Sequence, residues 1–155
     1  MLDYNEYLAE FFVKTTIAAG TSYDIAITTG AASVVYKPSS IVASADSITA
    51  ALYEGGTATG GDTVTISEHN RTASKTTGFT AKKGVTVSSL PSVPISQAFL
   101  PGSTGVGQSR VGGNSGGGSD FILKPNTTYI YRILNGSTAA NTAQVNYLLY
   151  EVDEE

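Results

Sequence analysis

Residues 120–135 read Asp-Phe-Ile-Leu-Lys-Pro-Asn-Thr-Thr-Tyr-Ile-Tyr-Arg-Ile-Leu-Asn, and this run limits the fold more than any other. A strand turns successive side chains to opposite faces. Tyr129, Tyr131 and Ile133 therefore share one face, while Ile130, Arg132 and Leu134 share the other. Before the hinge at Lys124-Pro125-Asn126, Phe121 and Leu123 fall together. Pro125 lacks an amide donor and belongs at an edge or a corner, so the run reads as two strands joined at a bend. Arg132, set between Ile130 and Leu134, is expected to snorkel or to pair. After a polar turn over 135–141, residues 144–151 supply a third strand. The three are expected to form a C-terminal antiparallel meander against which the rest of the chain packs.

The same signals recur upstream. Residues 13–19, 23–28, 33–37 with a resumption at 41–43, and 47–54 are strand-like runs cut off by glycine or proline. Residues 55–62 form a turn or hairpin tip, 63–68 a returning strand, and 84–90 a further one. Pro91, Pro94 and Pro101 surround Val93, Ile95, Phe99 and Leu100, a connection too apolar to be purely solvated. Short strands at short intervals predict an all-β chain, an antiparallel β-sandwich or jelly-roll-like fold. A length of 155 residues suits one domain with a real core.

Residues 1–13 depart from this pattern. Tyr4, Tyr7, Leu8, Phe11 and Phe12 approximate the i, i+3, i+4 spacing of a helix. The segment is too short to hold a helix alone in water. It reads as a short core-docked helix or as an arm over residues 1–12 whose aromatic side chains are buried against a partner. The sandwich domain then spans 13–151, with an acidic tail over 152–155.

Residues 102–118 are dominated by glycine and serine. Fixing the backbone costs roughly 1–2 kcal/mol per residue, and burying Val106 and Val111 returns at best ~2 kcal/mol each. The segment cannot order itself. It is expected to be mobile or to be held by a neighbour, with Val106, Arg110 and Val111 as its contact residues.

The charge distribution and residue inventory exclude much. Asp3, Glu6 and Glu10 open the chain and Glu151, Asp153, Glu154 and Glu155 close it, leaving a mildly basic body within a net charge of −4. No clustered basic face marks a nucleic-acid binder. With no cysteine there is no disulfide framework and no thiolate metal site. No long apolar run or charged-then-apolar leader is present, so neither membrane insertion nor signal-directed secretion is expected.

His69 is the one histidine, and no Gly-x-Ser-x-Gly elbow accompanies it. Glu68 and His69 lack a spaced third ligand for a metal. Glu54, Asp62, Glu68 and Asp120 sit at strand ends, where charges ordinarily lie, rather than as a glycosidase pair. Gly102 and Gly107 have Walker-like separation, but Gln108-Ser109 follows where a phosphate loop needs its lysine. The triplets at Asn70, Asn126 and Asn135 match glycosylation acceptors by chance composition. No enzyme activity, metal or cofactor is expected.

Several of these segments also occur in a familiar order: Leu52-Tyr53-Glu54, a Gly/Thr-rich stretch, Asn70-Arg71 before a Ser/Lys/Thr segment, and a glycine-rich loop. Then come Ile122-Leu123-Lys124-Pro125-Asn126-Thr127-Thr128-Tyr129, Arg132, Asn135 and a closing Tyr150-Glu151. This order, over residues 45–151, resembles the small capsid decoration (cement) proteins of tailed bacteriophages. The resemblance implies a β-sandwich, often trimeric, that binds the outside of an expanded head through the major capsid protein and carries no catalytic residues. It implies a virion location after synthesis in the host cytoplasm, with no direct nucleic-acid or membrane contact. The alternative expectation is a carbohydrate-binding jelly-roll module of a phage or cell-surface appendage, with Tyr36, Tyr53 and Tyr147 lining a groove.

Overall fold

The computed structural model describes residues 8–37, 41–43, 47–72, 76–100, 110–111 and 120–152. Among them the chain is all-β. In order its strands are β1 (Leu8–Ile17), β2 (Ser22–Thr28), β3 (Ser33–Lys37), β4 (Ile41–Ala43), β5 (Ile48–Glu54), β6 (Thr57–Thr59), β7 (Asp62–Thr63) and β8 (Ser67–Glu68). They continue as β9 (Thr80–Lys83), β10 (Thr86–Ser89), β11 (Ser96–Leu100), β12 (Arg110–Val111), β13 (Phe121–Leu123), β14 (Thr128–Asn135) and β15 (Asn141–Val152).

Two antiparallel sheets face each other. The first runs β12-β4-β15-β1-β8, with β3 also paired to β15 and β13 paired to β3; the second runs β11-β5-β14-β2-β9-β7. Alternation explains the core directly. Phe11, Val13 and Ile17 of β1 meet Tyr147, Val145, Ala143 and Leu149 of β15, while Ile25, Ile27, Leu52, Tyr129, Tyr131 and Ile133 come from the facing sheet. Phe11 stacks on Tyr147 with ring centroids 4.5 Å apart, and Tyr131 meets the same ring edge-on at 5.1 Å. Each such contact adds about 0.5–1.5 kcal/mol beyond the area it buries.

A third, smaller layer lies on the outer face of the second sheet. β6 and β10 pair as a ribbon. Ala26, Val85 and Ile130 pack with Tyr53, Ala58, Val87 and Leu90 in a second cluster beneath it. Gly56 lets the chain fold back over Ile130. Its φ is +113°, and an added Cβ would lie 2.9 Å from the Ser89 carbonyl oxygen and 3.3 Å from the Ile130 side chain. Only glycine enters that backbone region without strain.

Three expectations are corrected. The N-terminal stretch is not helical within the described residues, because Leu8–Ile17 is a strand of the first sheet, paired along its whole length with β15. Ala9, Phe11 and Val13 point inward and Glu10, Phe12 and Lys14 outward, a period of two that the neighbouring Phe11 and Phe12 disguise. Nor is Leu8–Phe12 an arm, since those residues pair one by one with Tyr150–Asn146. Residues 1–7 lie outside the described residues.

The C-terminal meander is also replaced. β13 and β15 flank β3 in the first sheet, whereas β14 lies between β2 and β5 in the second. The Pro125 hinge thus crosses from one sheet to the other. Finally, part of the glycine-rich loop pairs with its own sheet: Arg110 lies opposite Ala43 and Val111 opposite Val42. The remainder of 102–118 lies outside the described residues.

Candidate functional site

Two of the segments quoted for the resemblance, the end of β5 and the Lys124-Pro125 hinge with Tyr129, meet at one corner. Glu54 ends β5, Tyr129 lies near the start of β14 and Lys124 follows β13 at the hinge. The Lys124 ammonium donates to Glu54 Oε1 at 2.6 Å and the Tyr129 hydroxyl donates to Glu54 Oε2 at 3.1 Å. The Lys124 amide donates to the same tyrosine oxygen at 2.9 Å. Thr29 secures the other side of the hinge: its hydroxyl donates to the Lys124 carbonyl at 2.6 Å and accepts the Thr127 amide at 2.9 Å. Asn126 adopts a positive φ of 49°, which asparagine tolerates better than most residues.

The electrostatics follow from this geometry. The hydrogen bond from Lys124, then that from Tyr129, holds the Glu54 carboxyl below its ordinary range. Glu54 in turn raises the Lys124 ammonium. Burial is the largest cause raising the Tyr129 hydroxyl. The corner is a brace that ties the crossing between sheets. Glu54, Lys124 and Tyr129 are engaged with one another, and Thr29 with the backbone on either side of Pro125.

Two other polar clusters brace the body. Arg132 finds the acid that its setting called for: Nε and Nη2 donate to the two Asp24 oxygens at 2.7 and 3.0 Å. Asn135 is fully buried. Its amide donates to the carbonyls of Ile17, Ala18 and Ala139, and its oxygen accepts the Ser137 amide and hydroxyl. The bonds to Ser137 and Ala139 close the turn at Asn135-Gly136-Ser137.

An open hollow of about 290 Å³ lies between the ribbon and the second sheet. Thr28, Thr57, Thr59, Thr80, Thr128 and Lys82 line it over a floor of Ala26 and Val85. It offers hydroxyls and one ammonium, with neither a carboxylate nor an aromatic ring in its lining.

The interface candidates separate. Leu8 and Phe11 are buried, so neither is available to a partner; Phe12 stands out from the same strand at 66% exposure. Tyr4, Tyr7 and Val106 lie outside the described residues, and Arg110 and Val111 are placed by backbone pairing to β4. The proposed sugar groove does not form from its three tyrosines. Tyr36 and Tyr147 belong to the core, and Tyr53 packs against the second cluster. His69 Nε2 lies 3.1 Å from a Glu10 oxygen, and Glu68 accepts the Thr77 amide. Each of the two thus has its own structural partner. Among the described residues no group of three or more potential ligands gathers to hold a metal.

Val93 and Phe99, in the connection expected to be more than solvated, are exposed, and so are Ile122 and Leu134, which sequence reasoning did not single out as surface residues. Register places Phe99 and Leu134 either side of Thr49, on the outer face of the second sheet. Ile122 lies opposite Val35 on the outer face of the first sheet. The one usable signal was the run from Lys83 to Arg110, which contains no charged residue between its ends. No family model, curated protein or solved structure matches the chain.

Proposed function

We propose that the protein is a virion structural protein that binds the outer surface of an expanded phage capsid and stabilises it by clamping neighbouring major-capsid subunits. The observation that carries this reading is the display of large apolar side chains on both outer faces of a braced sandwich. Phe12 and Ile122 stand on one face and Phe99 and Leu134 on the other. Isolated exposed apolar residues are ordinary, but aromatic side chains held on rigid strands make effective protein anchors. Many copies on one lattice convert a modest single contact into strong retention. The order of motifs that resembles decoration proteins supports the same reading.

The test is co-sedimentation of purified protein with empty expanded heads that lack it. Saturable binding is expected. Removing residues 1–12 would be uninformative, because Ala9 and Phe11 are core residues. Phe12→Asp leaves the core intact and is expected to cost about 2 kcal/mol, roughly thirtyfold in affinity. Absence of co-sedimentation at saturating concentration overturns the capsid reading; undiminished binding by the variant removes Phe12 from it.

A further inference from the structure

Sheets that end in an open strand invite another strand, and proteins usually blunt such ends with charge, proline, bulges or brevity. The described fold blunts most of its own. β7, β8 and β12 are two residues long, and β1, which β8 covers only at Ala9 and Glu10, carries the charge of Lys14 along the rest of its edge. β13 has three residues, flanked by the Lys37–Asp120 and Lys124–Glu54 pairs and followed by Pro125. β11 is different. It has five residues, Ser-Gln-Ala-Phe-Leu, paired to β5 in one register; it carries no charge or proline within its length, and Pro94 and Pro101 lie just outside it.

The backbone of β11 has a definite polarity. The Gly55 amide donates to the Thr128 carbonyl at 2.9 Å, so Gly55 and, by alternation, Tyr53, Ala51 and Thr49 direct their backbone groups to β14. Leu52 and Ala50 therefore direct theirs to β11, and the Leu52 carbonyl accepts the Ile95 amide at 2.8 Å. Ser96 lies opposite Leu52 and Ala98 opposite Ala50. Ser96 and Ala98 thus face β5, and the amides and carbonyls of Gln97 and Phe99 point away from the sheet. Gln97, Ala98 and Phe99 are all exposed. Ala98 shares the inner face with core residue Ala50, so its exposure means that this edge overhangs the opposing sheet.

We propose that β11 is the seam on which a second copy of this chain docks, strand against strand, antiparallel about a two-fold axis at Ala98. The absence of charge permits this occupant, and the self-matching register below favours it. A two-fold axis brings each residue near its own image, so any charge beside it meets a like charge. The chain is net −4 but has no charged residue between Lys83 and Arg110. The register is self-consistent. Ala98 faces Ala98 of the partner subunit in a non-hydrogen-bonded pair, where side chains approach most closely and small ones fit. Gln97 then faces Phe99 of the partner subunit, and the reverse, giving four backbone hydrogen bonds from groups that already point outward. The two Phe99 rings become diagonal neighbours on the outer face, within reach of one another. Leu134 lies on that same face two strands inward.

The seam is read on the purified full chain with no capsid present, so its failure is separate from that of the capsid reading. Sedimentation equilibrium is expected to give the mass of two copies. Gln97→Pro removes an outward amide that β5 does not use, and Phe99→Lys sets like charges across the axis. Each is expected to halve the mass while leaving the thermal midpoint of the single chain in place. Ala98→Pro removes an amide that β5 does use and is expected to lower that midpoint, which checks the polarity of the strand. A single chain at all concentrations, a mass of three copies, or wild-type mass in a folded Gln97→Pro or Phe99→Lys variant overturns the proposal.

Discussion

The Tyr147 hydroxyl is fully enclosed and has no hydrogen-bond partner among the described residues. Burial pushes its ionisation well above the ordinary tyrosine range, so it stays neutral and simply lacks a partner. An unsatisfied buried hydroxyl costs stability that phenylalanine of the same shape would not. Tyr147→Phe keeps the stack on Phe11 and should stabilise by about 1 kcal/mol, raising Tm by roughly 2–4 °C in a domain of this size; a lower Tm in calorimetry would refute this account of the core. Glu54 makes the contrasting case, since its partners favour the charged form. A depressed folded-state pKa contributes stability that is present above the unfolded value, about 4.3, and is lost as pH falls through the folded value. Both side chains of the Glu54–Lys124 pair are partly exposed, so the effect is modest and screened by salt. Urea midpoints of wild type and Glu54→Gln should differ at neutral pH, and the gap should close below the folded-state value. A gap independent of pH would contradict the brace.

The strands that sequence patterning found and missed differ in a physical way. β2, β3, β5, β10 and β14 alternate cleanly or run apolar between glycine and proline stops, and the corresponding runs mark them within a residue or two. β9 and β11 escaped because they sit at sheet margins, where one face is solvated and the apolar pattern fades. The first half of β1 escaped because exposed Phe12 adjoins buried Phe11, and two adjacent aromatics read as a helical stripe, whereas residues 13–17 fell within the strand expected over 13–19. The pairing of β13, β14 and β15 was not legible at all. Alternation fixes which residues share a face, but not which of two sheets a strand enters after a proline corner. That Phe99 and Leu134 share one surface was illegible for the same reason, because they become neighbours only through β5. The β6–β10 ribbon tests the element scale, since only a small cluster holds it to the main body. Gly56→Ala forces a Cβ into a positive-φ site against Ser89 and should cost about 1–3 kcal/mol. The loss should fall on the ribbon first. In hydrogen exchange, amides of β6 and β10 should lose protection at denaturant concentrations where β14 keeps its own.

At the scale of the molecule, the two ends of the described chain are bound to each other. β15 pairs with β1 along the whole length of β1 and with β3 and β4 on its other side. The first described strand therefore cannot complete its sheet until the last has been made. Ala143, Val145, Tyr147 and Leu149 of β15 contribute their inward face to the main core, at about 1.5–3 kcal/mol for each large side chain buried. That sum rivals the entire net stability of an ordinary domain, about 5–15 kcal/mol. A chain ending at Ala140 should consequently lack fixed tertiary structure, even though most of its strands remain in the sequence. Amide dispersion in NMR spectra and the near-UV signal of the buried tyrosines should both collapse. Adding a synthetic peptide of residues 141–152 should restore them, because β15 is a single continuous strand that docks through backbone pairing and one apolar face. A truncated chain that folds cooperatively without the peptide would show that the first sheet closes without β15, and the central position assigned to that strand would be wrong.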